Sequence, residues 1–438
     1  MRGIETALLV LQDVRRGKFA SESIRKRSAG LTHQERVLSS LLVYSTLRRM
    51  SLWNNIVLRY LKNPSRRLSP DVKDSIMVGT AGILDLRNFS PGVLVNGLVQ
   101  SLKDRGNRGG AGLVNAVLRR ITEEGLEILS KITRSEKLED RSMVAGIPLW
   151  VAEHWNETFG TETTDLLLKY CRMKTSLSLR LSPGEDVECM VKALAEKGFD
   201  AWPSPVSKNV LRLEDSAYPP DLPGYSSGRI TPQSESSIMV GDLVCRLWKG
   251  GNIIDMCMGR GIKLGQMAQN LDGVCLEGWE LSKARAKAAE REFKRIGVDT
   301  RVRIRRGDSL VLKPDGDPAV VFLDAPCSGS GTWNRHPEAK WRFSVEMLDG
   351  NGLVQKKLLH KAISMLASGG VVVYSTCSLF REENENVVMD VLKERDDCHG
   401  MEIQLDNRYV GKTGSYGIYI WPRLPWLDGF FISAIVKN

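Results

Sequence analysis

The sequence predicts a multidomain chain of three parts. These are an all-α helical bundle over residues 1–135, a small α+β subdomain over 146–230, and an α/β domain with a mostly parallel, doubly wound sheet over 231–438. Three observations predict it. Apolar residues of the first third recur at helical spacing. The middle mixes one alternating run with one helical run. From about residue 231, short β-branched runs alternate with helical stretches, the order that builds a parallel sheet with helices on both faces. A length of 438 residues also suggests two or three domains.

In the first part, Ile4, Leu8, Leu11 and Val14 share one helix face before Gly17. Thr32 reads as the N-cap of a helix with apolar positions Val37, Leu41, Leu42 and Leu47. Gly79, Ile83 and Leu84 lie on another apolar segment. Leu113, Val114, Val117, Leu118 and Ile121 form a further stripe, with Asn115, Arg119 and Arg120 on its polar side. Basic turns are expected at Arg25-Lys26-Arg27, at Arg66-Arg67 and over 103–108. Residues 131–145 are charged and poorly periodic and read as a linker. In the middle part, mixed from Ile147 onward, 177–181 alternates like a strand, 187–195 looks helical, and 218–227 is a loop rich in proline and glycine. In the last part, strands are expected over 253–257, 274–280, 302–305, 319–324 and 371–375, with a closing strand over 429–436. Helices are expected over 264–270, 283–296, 353–366 and 383–393.

A composition of 42% hydrophobic and 26% charged residues is that of an ordinary globular chain. No apolar stretch approaches the roughly 18 residues of a membrane-spanning helix. The N-terminus lacks the apolar core of a signal peptide, so a cytoplasmic location and no membrane partner are expected. The eight cysteines include no C-x-x-C pair, so no metal site is expected and most read as buried thiols. The formal charge of +10 is unevenly spread: residues 1–140 hold 24 Lys and Arg against 14 Asp and Glu, while the remainder holds 38 of each. The whole excess lies in the helical part, which predicts an anionic partner there, nucleic acid above all.

The first strand of the last part ends in Asp255-Met256-Cys257-Met258-Gly259-Arg260-Gly261-Ile262-Lys263, and a helix follows. An acid, a glycine turn and a helix start after strand one is the layout of a nucleotide-like cofactor site, where glycines let the backbone approach the ligand. Glu280 closes the second strand, placed to accept ribose hydroxyls. Asp308 follows the third, placed to meet an adenine edge. Acids at successive strand ends, with Asp324 as the fourth, suit S-adenosylmethionine better than a dinucleotide, because no pyrophosphate has to be held. The cofactor site is therefore expected to draw on Asp255, Cys257, Met258, Gly259, Gly261, Lys263, Glu280, Asp308 and Asp324, with the side chains of Cys257 and Met258 read as packing.

Two later strands each deliver a cysteine: Asp324-Ala325-Pro326-Cys327-Ser328-Gly329-Ser330-Gly331 and Tyr374-Ser375-Thr376-Cys377-Ser378. Open α/β sheets bind ligands just past strand ends. Two thiols on that rim with a nearby aspartate fit covalent chemistry on a cytosine ring. C5 of cytosine is too electron-poor to take a methyl group directly. A thiolate added at C6 makes C5 nucleophilic, a second group then removes the C5 proton, and an acid near N3 eases the addition. Cys377, Cys327 and Asp324 are the residue types suited to these three tasks.

These segments resemble the Sun-type family of RNA cytosine-5 methyltransferases. The resemblance rests on the two cysteine signatures, on Glu382-Glu383-Asn384-Glu385-Asn386, on Arg335-His336-Pro337-Glu338 with Lys340-Trp341, and on Asp428-Gly429-Phe430-Phe431. Over 112–119, Gly-Leu-Val-Asn-Ala-Val-Leu-Arg is similar to the final motif of NusB-like modules. The resemblance implies a NusB-like RNA-binding bundle and a Rossmann-like class I methyltransferase domain. It implies S-adenosylmethionine as cofactor, with Asp255, Glu280 and Asp308 beside it, Cys377 as nucleophile and Cys327 assisting release. It places Asp324 at the target base near the methionine moiety, and Lys263 near the methyl-transfer centre. By the branch of the family it resembles, the partner is 16S (small-subunit) rRNA, free or in an assembling particle, and the protein is expected to be a monomer. The same chemistry on tRNA is the near alternative, and a non-catalytic RNA-binding protein the distant one. The chain departs from the family's Ala-Pro-Gly-Gly-Lys at Gly259-Arg260-Gly261-Ile262-Lys263. A β-branched residue disfavours positive φ, so Ile262 predicts a different loop path and a weaker hold on the cofactor. Gln233-Ser234-Glu235 likewise replaces the family's Gln-Asp-Glu.

Overall fold

The computed structural model describes residues 2–63, 68–86, 89–214, 217–406 and 408–438. The chain falls into two compact units, Met1–Arg172 with Trp333–Arg342, and Met173–Thr332 with Phe343–Asn438. Among the described residues no helix is long and apolar enough to cross a membrane.

The first unit is helical: α1 (Arg2–Arg15), α2 (Ala20–Arg27), α3 (His33–Arg48), α4 (Met50–Leu58), α5 (Pro70–Asp85), α6 (Pro91–Asp104), α7 (Arg108–Thr133), α8 (Leu138–Ala145) and α9 (Leu149–Cys171). Ile4, Leu8, Leu11 and Val14 of α1 are all buried, as their spacing predicts. Thr32 caps α3 in a reciprocal capping box with Glu35. The buried face of α3 differs from the expected one. Val37 and Leu41 are exposed, and Ser39, Ser45 and Thr46 lie inside. Two of these hydroxyls find acceptors that make burial cheap: Thr46 Oγ1 donates to the Leu42 carbonyl (2.7 Å) and Ser45 Oγ to Asp85 (2.7 Å).

Two other expectations change, and a third is untested. Arg25-Lys26-Arg27 is the last turn of α2, where cations face the negative helix end. Arg66-Arg67 lies outside the described residues. Residues 131–145 are no linker: α8 buries Met143, Val144 and Ala145, and its charges sit on the exposed side. The helical unit consequently runs past 135 to Arg172, because Val151, Ala152 and Trp155 of α9 are buried too. The polar face of α7 is exposed as predicted, yet its cations are paired along the helix: Arg119 with Glu123 (3.3 Å), Arg120 with Glu124 (3.9 Å) and Lys131 with Glu127 (2.7 Å). The segment Trp333–Arg342 also belongs to this unit. The Trp341 indole donates to the Leu47 carbonyl (2.6 Å), Lys340 to the Arg48 carbonyl (2.9 Å), and Glu338 accepts from the Ala20 amide (2.9 Å). Burial pushes the Lys340 ammonium down to about 7.

The second unit opens with an antiparallel sheet of order β2-β3-β1-β4, made of β1 (Ser178–Leu181), β2 (Ala201–Pro203), β3 (Val210–Leu213) and β4 (Ile230–Pro232), with α10 (Val187–Ala195) beside it. Next come α11 (Glu235–Leu247), β5 (Ile253–Asp255), α12 (Ile262–Asn270), β6 (Leu276–Glu280), α13 (Lys283–Arg295), β7 (Val302–Arg306) and β8 (Val320–Asp324). The chain ends with α14 (Val345–Met365), β9 (Val371–Thr376), α15 (Glu385–Lys393), β10 (Cys398–Met401), β11 (Val410–Gly414), β12 (Gly417–Ile420) and β13 (Phe430–Lys437). Strands β5 to β9 pair in parallel in the order β9-β8-β5-β6-β7; the antiparallel β13, β12 and β11 extend the sheet beyond β9, and β10 pairs with β13. The five expected parallel strands and the closing strand are present. The sequence reading did not identify β10, β11, β12 or α11. The small subdomain is not a separate unit. Arg212 of β3 pairs with the buried Glu235 of α11 through two bonds (2.6 and 2.7 Å), and Arg180 of β1 donates to Gln233 (2.9 Å). Gln233 and Glu235 of the variant Gln-Ser-Glu segment thus serve to join the two sheets.

Gly146 tests the packing of the first unit. It ends α8 at φ +69°, and a Cβ there would meet the Arg48 carbonyl at 1.7 Å. Gly17, at φ +93°, has open space around it. Gly146→Ala should cost about 3 kcal/mol and Gly17→Ala only about 1 kcal/mol, measured by urea unfolding.

Candidate active site

Strand pairing builds the site. In the parallel β8–β9 ladder Asp324 is opposite Ser375, and in β5–β8 Asp255 is opposite Phe322. The turn after β8 and the turn after β9 therefore leave the sheet side by side. The Ala325 amide donates to the Ser375 carbonyl (2.8 Å) and the Gly331 amide to the Cys377 carbonyl (2.9 Å). The Gly429 amide, just before β13, donates to the Gly331 carbonyl (2.8 Å), which draws the C-terminal Asp-Gly-Phe-Phe motif against the first signature. The outcome is a direct contact: Cys327 Sγ and Cys377 Sγ lie 3.5 Å apart, and both residues are half-buried.

Asp324 stands next to the pair. One of its oxygens accepts from Lys263 Nζ (2.6 Å), the other from Ser375 Oγ (2.9 Å). Burial opposes the Lys263 ammonium, but the charge and hydrogen bond of Asp324, with Cys377 and Asp255, outweigh it and hold its pKa above the ordinary lysine value. The Cys327 thiol is held well above the ordinary thiol value by its hydrogen bond with Cys377, then by burial and by the charges of Cys377 and Glu383.

The glycine turn after β5 settles the Ile262 question. Positive φ falls on Gly259 (+58°) and Gly261 (+77°), and among the described residues no other residue type adopts it. Ile262 is the first residue of α12, where its backbone is helical and unstrained. A Cβ on Gly261 would meet Phe293 at 2.5 Å, so both conformation and packing require glycine there. The expected change of path therefore has no basis at Ile262.

The other expected cofactor residues are placed as follows. Asp255 is buried and accepts from the Cys257 amide (3.1 Å); burial, then the neighbouring Asp324 charge, pushes it up to about 8. Cys257 is half-buried, and its thiol is raised by burial and by Asp255, Asp324 and Glu280. The Met258 side chain packs in the core of the unit, while its amide donates to the Trp279 carbonyl (3.1 Å). Buried Glu280 accepts from the Ser282 amide (2.6 Å) and from Arg285 (2.9 Å). Asp308 is exposed and turns back to accept from the Leu310 amide (2.9 Å). Four carboxylates thus line successive strand ends, with Lys263 bonded to Asp324 and Arg285 to Glu280.

The residues that sequence reasoning missed lie behind the cysteines. Glu383, Ser328, Ser378 and Asn384 are buried and mutually bonded. Their signal was present, an acidic pair within an otherwise amphipathic stretch, but nothing in the periodicity indicates which acid turns inward.

Residues 244–436 match the model of the 16S rRNA methyltransferase RsmB/F family, and residues 4–123 match the NusB family. Residues 244–436 are therefore similar to the methyltransferases of the RsmB/F family. Relatives span nearly the whole chain. The ribosomal RNA small subunit methyltransferase B of Thermus thermophilus is 27% identical over 98% of this chain and 96% of its own. That of Xanthomonas campestris is 26% identical over 92% and 89%. The probable ribosomal RNA small subunit methyltransferase B of Synechocystis is 28% identical over 99% of both. Among solved structures, that of PH0851 shares the fold over 100% of this chain and 98% of its own (TM-score 0.83, 21% identity). A methyltransferase homolog from Pyrococcus horikoshii shares it over 69% of this chain and 100% of its own (TM-score 0.59, 23% identity). The rim suits S-adenosylmethionine, the cofactor expected from the sequence. Its ammonium and sulfonium supply positive charge where Asp255 is buried with none directly bonded to it.

Asp255 carries a pH signature. Its folded pKa of about 8 lies above the unfolded value near 3.8. Between those two pH values the folded chain holds a proton that the unfolded chain has lost. Its contribution therefore weakens stability as pH rises from about 4 to about 8 and is constant above that. Asp255→Asn should abolish this slope, so the variant gains on the native chain between pH 5 and pH 8.5 in urea midpoints. A difference independent of pH would contradict the assignment.

Proposed function

We propose that this enzyme transfers a methyl group to C5 of a cytosine in small-subunit ribosomal RNA, through a covalent bond between Cys377 and C6 of the base. The observation that carries this reading is the 3.5 Å approach of the two cysteine sulfurs beside Asp324 and Lys263 at the ends of β8 and β9. S-adenosylmethionine, when bound near Asp255, Glu280 and Asp324, supplies an electrophilic methyl group.

The rest is done by the chain. Cys377, as thiolate, adds to C6, and the displaced π electrons load the ring toward C5 and N3. The Lys263–Asp324 pair fits the task of stabilising that charge, because a preorganised pair in a partly dry site needs little rearrangement. After C5 has taken the methyl group it carries one hydrogen too many. The two thiols then act in sequence. In the resting pair the Cys377 charge helps keep Cys327 protonated. Once Cys377 is a neutral thioether that influence is gone, and Cys327 can ionise. Its thiolate takes the C5 proton, the C5–H electrons re-form the C5–C6 double bond, and Cys377 leaves as thiolate. The target base has to leave its stack to reach two half-buried sulfurs. The net positive first third of the chain, with 24 Lys and Arg against 14 Asp and Glu up to residue 140, supports an electrostatic contribution to RNA binding.

Cys377→Ala should abolish both turnover and covalent complex. Cys327→Ala should instead accumulate a protein–RNA adduct, seen as a slow band in denaturing gels. An adduct that forms with Cys377→Ala and not with Cys327→Ala would reverse the two roles. Bisulfite sequencing of RNA from a deletion strain tests the substrate: loss of a methylcytosine in small-subunit rRNA is expected, and loss from tRNA would contradict the reading.

A further inference from the structure

We propose that Glu383 is a positioning residue for this reaction: its buried side chain clamps the turn that carries Cys327 to the turn that carries Cys377 and so holds the two sulfurs in contact. The proposal rests on the roles assigned above to the two cysteines. Glu383 lies just before α15, fully buried. Its Oε1 accepts from the Ser328 amide (2.7 Å), from Asn351 Nδ2 (2.8 Å) and from Gln355 Nε2 (3.4 Å). Its Oε2 accepts from the hydroxyls of Ser328 (2.5 Å) and Ser378. Ser328 and Ser378 are the residues that directly follow Cys327 and Cys377. One carboxylate therefore grips both turns at the same relative position.

The clamp is reinforced on every side. Gln355 also donates to the Pro326 carbonyl (2.8 Å), so α14 supports the first turn from below. Ser330 Oγ accepts from the Leu379 amide (2.7 Å) and tethers the turns a second time. Tyr374 of β9 donates to the Glu383 carbonyl (2.5 Å), which fixes the clamp to the strand that presents Cys377. Among the described residues no cation is bonded to the Glu383 carboxylate, and its charge bears on Cys327 and favours the protonated thiol there. A buried carboxylate that accepts from five donors without a cationic partner is a costly arrangement, and holding two catalytic turns together gives it a physical reason.

Two variants separate the clamp from the charge. Glutamine keeps one oxygen for the three N–H donors, and its amide nitrogen can face the two hydroxyls, which can rotate to accept. Alanine removes the clamp. The geometric readout is the rate of Cys327–Cys377 disulfide formation with diamide, which takes the two thiol hydrogens, followed by mass spectrometry. Glu383→Ala should slow it about ten-fold or more, and Glu383→Gln should leave it close to native. The charge readout is the pH profile of Cys327 alkylation by iodoacetamide, which Glu383→Gln should move to lower pH by roughly one unit. If Glu383→Ala fails to fold, Ser378→Ala, which frees only the second turn, takes its place with the same expected slowing. Cross-linking at the native rate in the clamp-breaking variant, or an unmoved Cys327 profile in Glu383→Gln, overturns the proposal. Neither readout uses RNA or cofactor. Failure of the cytosine reading, seen as absence of any covalent RNA complex, is thus distinguishable from failure of the clamp.

Discussion

The parallel register between β8 and β9 is the constraint on which the site depends. With Asp324 opposite Ser375, the chain leaves both strands at the same height, and Cys327 and Cys377 follow within three and two residues. A slip of one residue would turn each side chain to the opposite face and part the sulfurs. The register is held from both sides, by β5 against β8 and by β13 against β9. Phe322 and Val373, which face each other across the β8–β9 pair, are fully buried and make any slip costly.

Charge is arranged around that frame in an uneven way. The rim carries Asp255, Glu280, Asp308 and Asp324, and Lys263 is tied to the last of them. A site in this state is short of positive charge. Burial and the Asp324 charge together keep Asp255 protonated near neutrality. Such a site favours a cationic ligand and offers a methyl acceptor an environment where Asp324 already has its counter-ion. Behind the rim, Glu383 supplies a second negative centre that bears on Cys327. The two thiols thus have different surroundings although they touch, and different surroundings are what two different proton tasks require.

Much of this was legible in the residues. Strands β5, β6, β8 and β9 announce themselves as short apolar runs, and the cysteines sit just past two of them, so the meeting of Cys327 and Cys377 at one rim could be read before any coordinates. The capping box at Thr32 and the α1 face were equally clear. Other features were not. Ser45 and Thr46 took buried places in α3 while Val37 and Leu41 stayed outside, because a hydroxyl bonded within the fold can be buried at little cost. The 131–145 stretch looked like a linker since charge on one face of α8 hid its buried Met143 and Val144. Ile262 seemed to disturb the glycine turn, yet positive φ was needed one residue earlier. Glu383 stayed invisible because its partners come from three separate segments, and only folding brings Ser328, Asn351 with Gln355, and Ser378 together.

The most direct test of the whole account is to identify the residue bonded to a trapped base. RNA carrying 5-fluorocytosine at the target position accepts the thiol and the methyl group but has no C5 proton to lose, so the adduct cannot be released. Proteolysis and mass spectrometry of the trapped complex, formed with S-adenosylmethionine, should then find the nucleotide on the peptide that contains Cys377. Attachment to Cys327, or methylation of normal RNA without any trapped peptide, would contradict it.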